Sequence, residues 1–569
     1  VFGVHGNLIV SSGFGEDKGF FVTSLPYLAP AGRVRWFRRT KGCEEVAFGR
    51  EKSIKPIAWG CLTLASLHTA HMIALGIDCG TQSTKVIALD WETGDVLASG
   101  GDGYGFVAGL PDGAMEQEPG WWIAAAEKGV REVLSALGGR SEEVVAIGVS
   151  GQQHGLVVLG RNGQPLRAAK LWCDTSTAIE CEEITNEMGG AAAVIQAVGN
   201  TMRTGYTAPK IRWLAKHEPA HFEQCSAFLL PHDYLNFWLT GEKRMEYGDA
   251  SGTALFDPVQ RTWSLRACNA TAESLGDRLP EVGSSAKPCG MLRGELLRAW
   301  GLAGPVLVSA GGGDNMMAAI GTGNVLPGVV TASLGTSGTL FAFADDPVVD
   351  AAGEVAGFCD STDHWLPLLC TMNVTLVTEH VRQLFGWSYE QMDAAVMSVP
   401  PGAGGLAFLP YLTGERTPDL PKARGVLAGL TLANLTPAHL ARAAVEGVLL
   451  GLALGLRRLR ELGIAAGSVR LTGGAAGSAV WRQTCADVFG VPVLSLDSSK
   501  GAALGAAIQA GWTQLNENGH LTCLADLCER FAAPSAPVLP DPSATAIHTR
   551  TLDSCTSLRG QLGRFLQAN

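Results

Sequence analysis

Charge is scarce in this 569-residue chain: 17% of residues are Asp, Glu, Lys or Arg, against 46% hydrophobic ones. That composition describes an ordinary, slightly oily globular protein. A positive balance is missing as well. The formal charge of −11 excludes broad electrostatic attraction to nucleic acid or to an anionic membrane, although backbone N–H groups can still hold a phosphate locally. The 14 cysteines form no CxxC pairs and no Cys/His metal spacing. Cys79, Cys173 and Cys485 sit in apolar or motif surroundings, as reduced cytosolic thiols do. The longest apolar helical stretch, around Val448–Leu456, is too short to span a bilayer. No basic leader followed by an apolar run opens the chain, so a cytoplasmic location is expected. A GxxxxGK[ST] sequence is also absent, which argues against a P-loop phosphate site.

What is present is enough chain for two or more cores. Residues 1–71 stand apart, with nine Lys/Arg against five Asp/Glu, a net of +4 that leaves −15 for the rest. They carry a basic cluster (Arg33, Arg35, Arg38, Arg39, Lys41) and no sustained periodicity. The expectation is that the native start is Met72 and that the upstream residues are an over-extended reading frame; a basic targeting or partner-binding arm is the alternative. From Met72 onward, β-branched runs alternate with helical stretches, an α/β pattern. Met72–Ile77, Val144–Val149, Pro305–Ala310 and Val469–Thr472 read as strands. Thr436–Leu462 reads as a helix with a capping Thr436 and a first-turn Pro437. After about Ala533, a proline-containing linker precedes a terminal helix near Leu552–Leu566.

The chain also repeats itself. Asp78-Cys-Gly-Thr-Gln-Ser-Thr84 aligns with Ser333-Leu-Gly-Thr-Ser-Gly-Thr339, sharing Gly80/Gly335, Thr81/Thr336 and Thr84/Thr339 at a separation of 255 residues. Strand-like runs flank both, ending in Asp90 and Asp345. Two homologous domains facing each other across a cleft follow from this repetition.

Four turns carry residues suited to phosphate and hydroxyl chemistry. In the first, Gly80 permits close backbone approach, and consecutive N–H groups with the Thr81, Ser83 and Thr84 hydroxyls can cradle phosphate. Asp78, at the strand end, is a hard-oxygen ligand suited to Mg²⁺. In Gly311-Gly-Gly-Asp314-Asn315, three glycines clear space around one carboxylate, which can accept a proton from a hydroxyl attacking phosphorus; an Asp capping the helix Met316–Ile320 is the competing reading. In Ser150-Gly-Gln-Gln153-His154-Gly155, consecutive donors and acceptors suit vicinal hydroxyls, with Trp172 as an aromatic wall and Asp174 as a hydroxyl acceptor. In Gly473-Gly474-Ala-Ala-Gly-Ser478, a glycine-rich strand-to-helix turn lets an adenine ring lie against backbone.

Two further stretches, Gly205-Tyr-Thr-Ala-Pro-Lys210-Ile-Arg-Trp213-Leu-Ala-Lys-His217 and Gly425-Val-Leu-Ala-Gly429-Leu430 followed by His439-Leu and Ala443-Ala-Val-Glu446, resemble the signature patterns of the FGGY family of carbohydrate kinases. With the four turns and Gly335-Thr336, the resemblance runs in family order from Met72 to about Gly511. It implies two actin-like, ribonuclease H-like α/β ATPase domains with a central interdomain cleft. The implied division is an extension at 1–71, a sugar and phosphate domain at 72–304 and an ATP-binding domain at 305–569. Gly151-Gln-Gln-His-Gly155 is similar to the xylulokinase branch, which implies Mg²⁺ and ATP, with D-xylulose converted to D-xylulose 5-phosphate.

The resemblance further implies Asp314 as general base, with Gln153, His154, Trp172, Asp174 and Asn315 around the sugar. Gly80–Ser83, Gly335, Thr336, Gly473, Gly474 and Ser478 would hold ATP, and Asp78 the metal. Where some relatives have Asp-Gly-Arg, this chain has Asp174-Thr-Ser176, so a family arginine contact is missing there. Ribulose, gluconate and glycerol remain alternative acceptors, as does a non-catalytic sugar sensor. The expected partners are small molecules, not nucleic acid or membrane, with a homodimer as a possible assembly.

Overall fold

The computed structural model describes residues 8–10, 21–23, 72–496 and 501–563. Two units separate at Val1–His68 and Thr69–Asn569. In the first, Leu8–Val10 pairs antiparallel with Phe21–Thr23. The expectation for the basic cluster at 33–41 falls outside the described residues.

The second unit opens with an antiparallel meander of β1 (Ile73–Cys79), β2 (Ser83–Asp90) and β3 (Val96–Gly103). Helix α1 (Pro119–Leu137) has a first-turn proline and buries Trp122, Ala126, Val130, Val133 and Leu137, an i, i+4 stripe that packs on β2 and β3. Strand β4 (Val144–Gly151) then pairs parallel with β1. Helices α2 (Thr207–His217) and α3 (Pro231–Thr240) follow. Strands β5 (Pro288–Met291), β6 (Leu307–Ser309) and β7 (Gly312–Gly313) complete a sheet of order β5-β6-β4-β1-β2-β3, with β7 also joined to β4. Helix α4 (Asp314–Gly321) leaves it. Ile73, Leu75, Ile77, Val86, Ile147 and Val149 fill the core against α1.

The second half repeats this plan. Strands β8 (Gly328–Leu334), β9 (Gly338–Ala342), β10 (Ala356–Cys359) and β11 (Trp365–Thr371) form its antiparallel part. Helix α5 (Pro437–Glu461) begins at Thr436, whose hydroxyl accepts the His439 N–H. Strand β12 (Ala466–Thr472), helix α6 (Ala479–Phe489), strand β13 (Val493–Ser495) and helix α7 (Gly501–Glu517) follow. The sheet order is β10-β11-β9-β8-β12-β13. In both sheets three parallel strands (β6-β4-β1 and β13-β12-β8) continue into antiparallel partners (β2-β3 and β9-β11). The repeat legible in the two Gly-Thr turns is therefore a duplicated domain. Helix α5 is long and apolar, but most of its apolar residues are buried, packed on β9, β11 and α6.

Two boundaries differ from expectation. Strand β6, expected to open the second domain, is hydrogen bonded into the first sheet, with Leu307 opposite Ala146 and Val308 opposite Ile147. This parallel strand finds its partner about 160 residues away, so its glycine-rich end resembles a domain start in sequence while belonging to the preceding fold. Helix α7 likewise returns to pack on β1, β4 and α4. It approaches so closely that a Cβ on Gly505 would collide with the Met317 carbonyl, and one on Gly76 with that of Ala503. The last helix is also longer than expected, starting at Pro542 and running to Gln561.

Candidate active site

Strand register assembles the site. Asp78 and Cys79 of β1 lie opposite Ser150 and Gly151 of β4, and these lie opposite Gly312 and Gly313 of β7. Asp314 follows directly, so it emerges two strand spacings, roughly 10 Å, from the Gly80–Ser83 turn. Both elements therefore belong to the first half. The implied division at 304/305, which sets Asp314 in the second domain opposite the hairpin of the first, is corrected by this pairing. The arrangement places them at the carboxyl ends of adjacent parallel strands, where open α/β sheets bind ligands.

The β1–β2 turn closes through the Gly80 N–H to the Ser83 carbonyl at 3.0 Å. Gln82 and Ser83 are exposed, while Thr84 is buried. Trp172, 38% exposed, donates its indole N–H to the Thr81 hydroxyl at 2.9 Å, so the expected aromatic wall braces the turn. The Asp78 carboxylate accepts from the Ser150 hydroxyl at 2.8 Å. Burial raises its pKa, against the lowering effects of Ser150 and Lys85.

Asp314 is the first residue of α4, whose cap is Gly313 and makes no side-chain cap bond. The capping reading of Asp314 thus falls away. Its Oδ1 accepts the Asn315 backbone N–H (2.8 Å) and side-chain amide (2.9 Å). Burial, then the Asp78 charge, push its pKa up to about 7. Two carboxylates with raised proton affinity facing one region are a natural place for a cation or for protons in transit.

Gln153 is buried, and its carbonyl accepts from the Asn315 amide at 2.9 Å. It therefore orients Asn315 beside Asp314. His154 adopts φ +65, an uncommon conformation for a non-glycine residue. Its carbonyl accepts from Lys210 Nζ at 2.8 Å and from the Thr207 hydroxyl at 3.2 Å. The ring packs edge-on against Tyr206, centroids 4.8 Å apart, and near Phe358. Burial, with the Lys210 and Arg416 charges, lowers the imidazole to about 3, so the ring is neutral.

Lys210 is fully buried, bonded to the His154 and Gly205 carbonyls, both at 2.8 Å. Burial lowers its pKa to about 7. In sequence Lys210 and Arg416 are members of family-like stretches, Gly205–His217 and Phe408–Pro418, with no role attached to either. The Arg416 loop is anchored by Glu415, which accepts the Met372 N–H (2.6 Å) and the Asn373 amide (3.0 Å).

Two expected residues are engaged elsewhere. Asp174 has no exposed surface and bonds the Ser176 hydroxyl (2.6 Å), the Met115 N–H (2.9 Å) and Lys170 Nζ (3.1 Å). Although burial raises its pKa, these partners hold it below the usual range. It is a structural anchor, closed to a sugar hydroxyl. Ser478, expected beside the nucleotide, uses its hydroxyl to cap α6, accepting the Trp481 N–H and donating to Asp393 at 2.8 Å.

On the second half, the β8–β9 turn leaves Thr336 and Ser337 exposed, and its Gly335 and Thr336 carbonyls accept N–H groups of Thr375 and Val374. A Cβ on Gly473 would press on Leu334, so the Gly473–Gly477 turn abuts the base of that hairpin. Beside it lies a cavity of about 440 Å³ lined by Gly473, Gly474, Arg482, Ser495, Leu496 and Ser535, among others. Arg482 steadies its wall by donating to the Ala476 and Gly477 carbonyls, both at 2.9 Å. Among the described residues no group of three or more His, Cys, Asp or Glu forms a metal cage.

Comparison with known proteins points the same way. Residues 73–321 match the N-terminal domain of the FGGY family of carbohydrate kinases, and residues 330–514 its C-terminal domain. Xylulose kinase of Haemophilus influenzae is 41% identical over 463 residues, covering 80% of this chain and 93% of that protein. Xylulose kinase of Streptomyces coelicolor is 37% identical over 476 residues, covering 82% and 92%. The crystal structure of a xyloylose kinase from Brucella ovis superposes with a TM-score of 0.81 at 28% identity, covering 87% of this chain and all of that one.

Proposed function

The chain belongs to the FGGY family of carbohydrate kinases, and from that premise we propose that it transfers the γ-phosphoryl group of ATP to D-xylulose, giving D-xylulose 5-phosphate and ADP. The observation that carries the reading is Asp314: a carboxylate at the end of a glycine strand, with its pKa at about 7, two strands from the Gly80–Ser83 turn.

In this reading the adenine enters the 440 Å³ cavity beside Gly473 and Gly474. The phosphates run along the Gly335–Thr336 turn, and the γ-phosphate meets the N–H groups and hydroxyls of Gly80–Ser83. The sugar lies beside His154, Asn315 and Asp314, with Trp172 flanking the turn. As the 5-hydroxyl oxygen bonds to phosphorus and the bond to the β-phosphate oxygen breaks, its proton passes to Asp314. Positioning supplies most of the acceleration. Asp78, a part-exposed carboxylate at the strand end whose pKa burial raises against the Ser150 hydroxyl and the Lys85 charge, would be the residue to hold Mg²⁺, a hard cation bound through one or two carboxylates plus substrate phosphates. Bound Mg²⁺ would neutralise phosphate charge.

A coupled ADP-release assay over D-xylulose, D-ribulose, gluconate and glycerol tests the assignment. D-xylulose should give the highest kcat/KM. Preference for another acceptor would move the substrate while keeping the kinase, and absence of multiple turnovers with every acceptor would reject both.

A further inference from the structure

Resting on the reading of Asp314 as the base, we propose that Gln509 of α7 is the positioning residue that fixes the triple-glycine turn and thereby aims the Asp314 carboxylate. Its side chain has no exposed surface, in a helix whose other buried residues are mostly Ala, Gly, Leu and Ile. The amide oxygen accepts the Gly311 N–H and the Ser309 hydroxyl, each at 2.9 Å. The amide nitrogen points at the carbonyls of Ser361 (3.0 Å), Gly311 (3.1 Å) and Ser285 (3.3 Å). One side chain thus grips Gly311 by both its N–H and its C=O.

The turn needs such a grip. Gly311 sits at φ +71, and a Cβ there would strike the Val149 carbonyl. Three glycines have no side chains with which to hold their own backbone. Strand β7 has only two residues to pair with β4 before Asp314 begins α4. Fixing Gly311 from behind therefore sets where the strand ends and where the carboxylate points. The Ser361 contact adds a tie to the second half, because Ser361 lies between β10 and β11. A buried amide with every polar atom engaged is held in one orientation, which a leucine of similar size would not achieve.

The test uses the full-length enzyme with Gln509→Leu and Gln509→Glu, assayed for D-xylulose phosphorylation beside Asp314→Asn. Gln509→Leu should lower kcat by about 10- to 100-fold, the scale of a small misplacement at a reacting group. Its KM for ATP should stay within about twofold, and it should bind MgADP and melt cooperatively. Gln509→Glu keeps the acceptor but sets a carboxylate against three carbonyls. Glu246, which accepts from the Ser285 and Ser361 hydroxyls at 2.5 and 3.4 Å, is itself pushed up to about 8 by burial. His232, raised against its burial by the Asp233 and Asp249 carboxylates, lies against Gly311. Burial against three carbonyls favours the protonated acid at residue 509. Its activity relative to wild type should therefore rise as pH falls from 8.5 to 6, as the protonated acid regains one donor.

Wild-type kcat in a folded Gln509→Leu, or a flat activity ratio across that pH range for Gln509→Glu, overturns the proposal. A lowered Tm with unchanged turnover per folded enzyme also overturns it, since that marks a packing role alone. Near-full activity of Asp314→Asn would instead reject the base itself.

Discussion

Replacing Asp314 by Asn removes the proton acceptor while preserving shape and the contacts with Asn315. Loss of general-base assistance should lower kcat by about 10²–10⁴-fold, roughly 3–5 kcal/mol of barrier at about 1.4 kcal/mol per decade. In the wild type, kcat/KM for the sugar should fall with a single protonation as pH drops below about 7. The substitution should have the opposite effect on stability. A carboxyl whose pKa is raised on folding takes up a proton, so its stabilising contribution is complete below the unfolded value near 4 and is lost as pH rises through about 7. The rise from near 4 to about 7 corresponds to roughly 4 kcal/mol, and partial solvent access screens this to about 1–2 kcal/mol. Asparagine is never charged. The variant should therefore melt above wild type at pH 8.5, with the gap closing toward pH 4. Coupled ADP release at saturating D-xylulose and thermal melts across that range read both effects. Near-full turnover with the correct product, or a stability gap that does not change with pH, would refute the reasoning.

Three other substitutions probe separate parts of the site. Lys210→Met removes the shorter of the two hydrogen bonds to the His154 carbonyl, leaving that of Thr207; the sugar KM should rise about tenfold, the scale of one lost charged hydrogen bond, with the ATP KM unchanged in initial-rate kinetics. Asp174→Ala should cost about 1.5–3 kcal/mol in urea melts, the scale of a lost charged hydrogen bond, because the buried Lys170 loses one of its two carboxylates and keeps Glu116 at 3.2 Å, yet leave the sugar KM within about twofold. Ser535→Trp, filling the mouth of the cavity beside Gly473, should raise the ATP KM by about tenfold or more and spare sugar binding.

The local features of this fold were readable because they are local. Each Gly-Thr turn lies between two adjacent strands, and Thr436-Pro437 starts its own helix. The paired turns by themselves mark a repeated α/β unit. What escaped depends on distant partners. Strand β6 shows its allegiance only through β4, so its glycine end passed for a domain start. Asp174 looks available in sequence although Lys170 and Ser176 lie within four positions of it, because only folding buries the three together and adds the Met115 N–H from 59 positions away. Lys210 appears as one residue of a recognised stretch, and only folding brings its ammonium to the His154 carbonyl 56 residues away. Arg416 stands in a family-like stretch with no role attached, and Gln509 carries no local signal, since each acts on residues that only folding brings near, Gly311 being 198 positions from Gln509.

The most direct measurement is a crystal structure of the wild-type enzyme with D-xylulose, ADP and a planar fluoride mimic of the transferring phosphoryl group. One Asp314 oxygen should lie about 2.6–3.2 Å from the 5-hydroxyl, with the mimic held by the Gly80–Ser83 turn. A sugar bound with that hydroxyl beyond reach of Asp314, or a mimic seated away from the turn in a closed complex, would contradict the account.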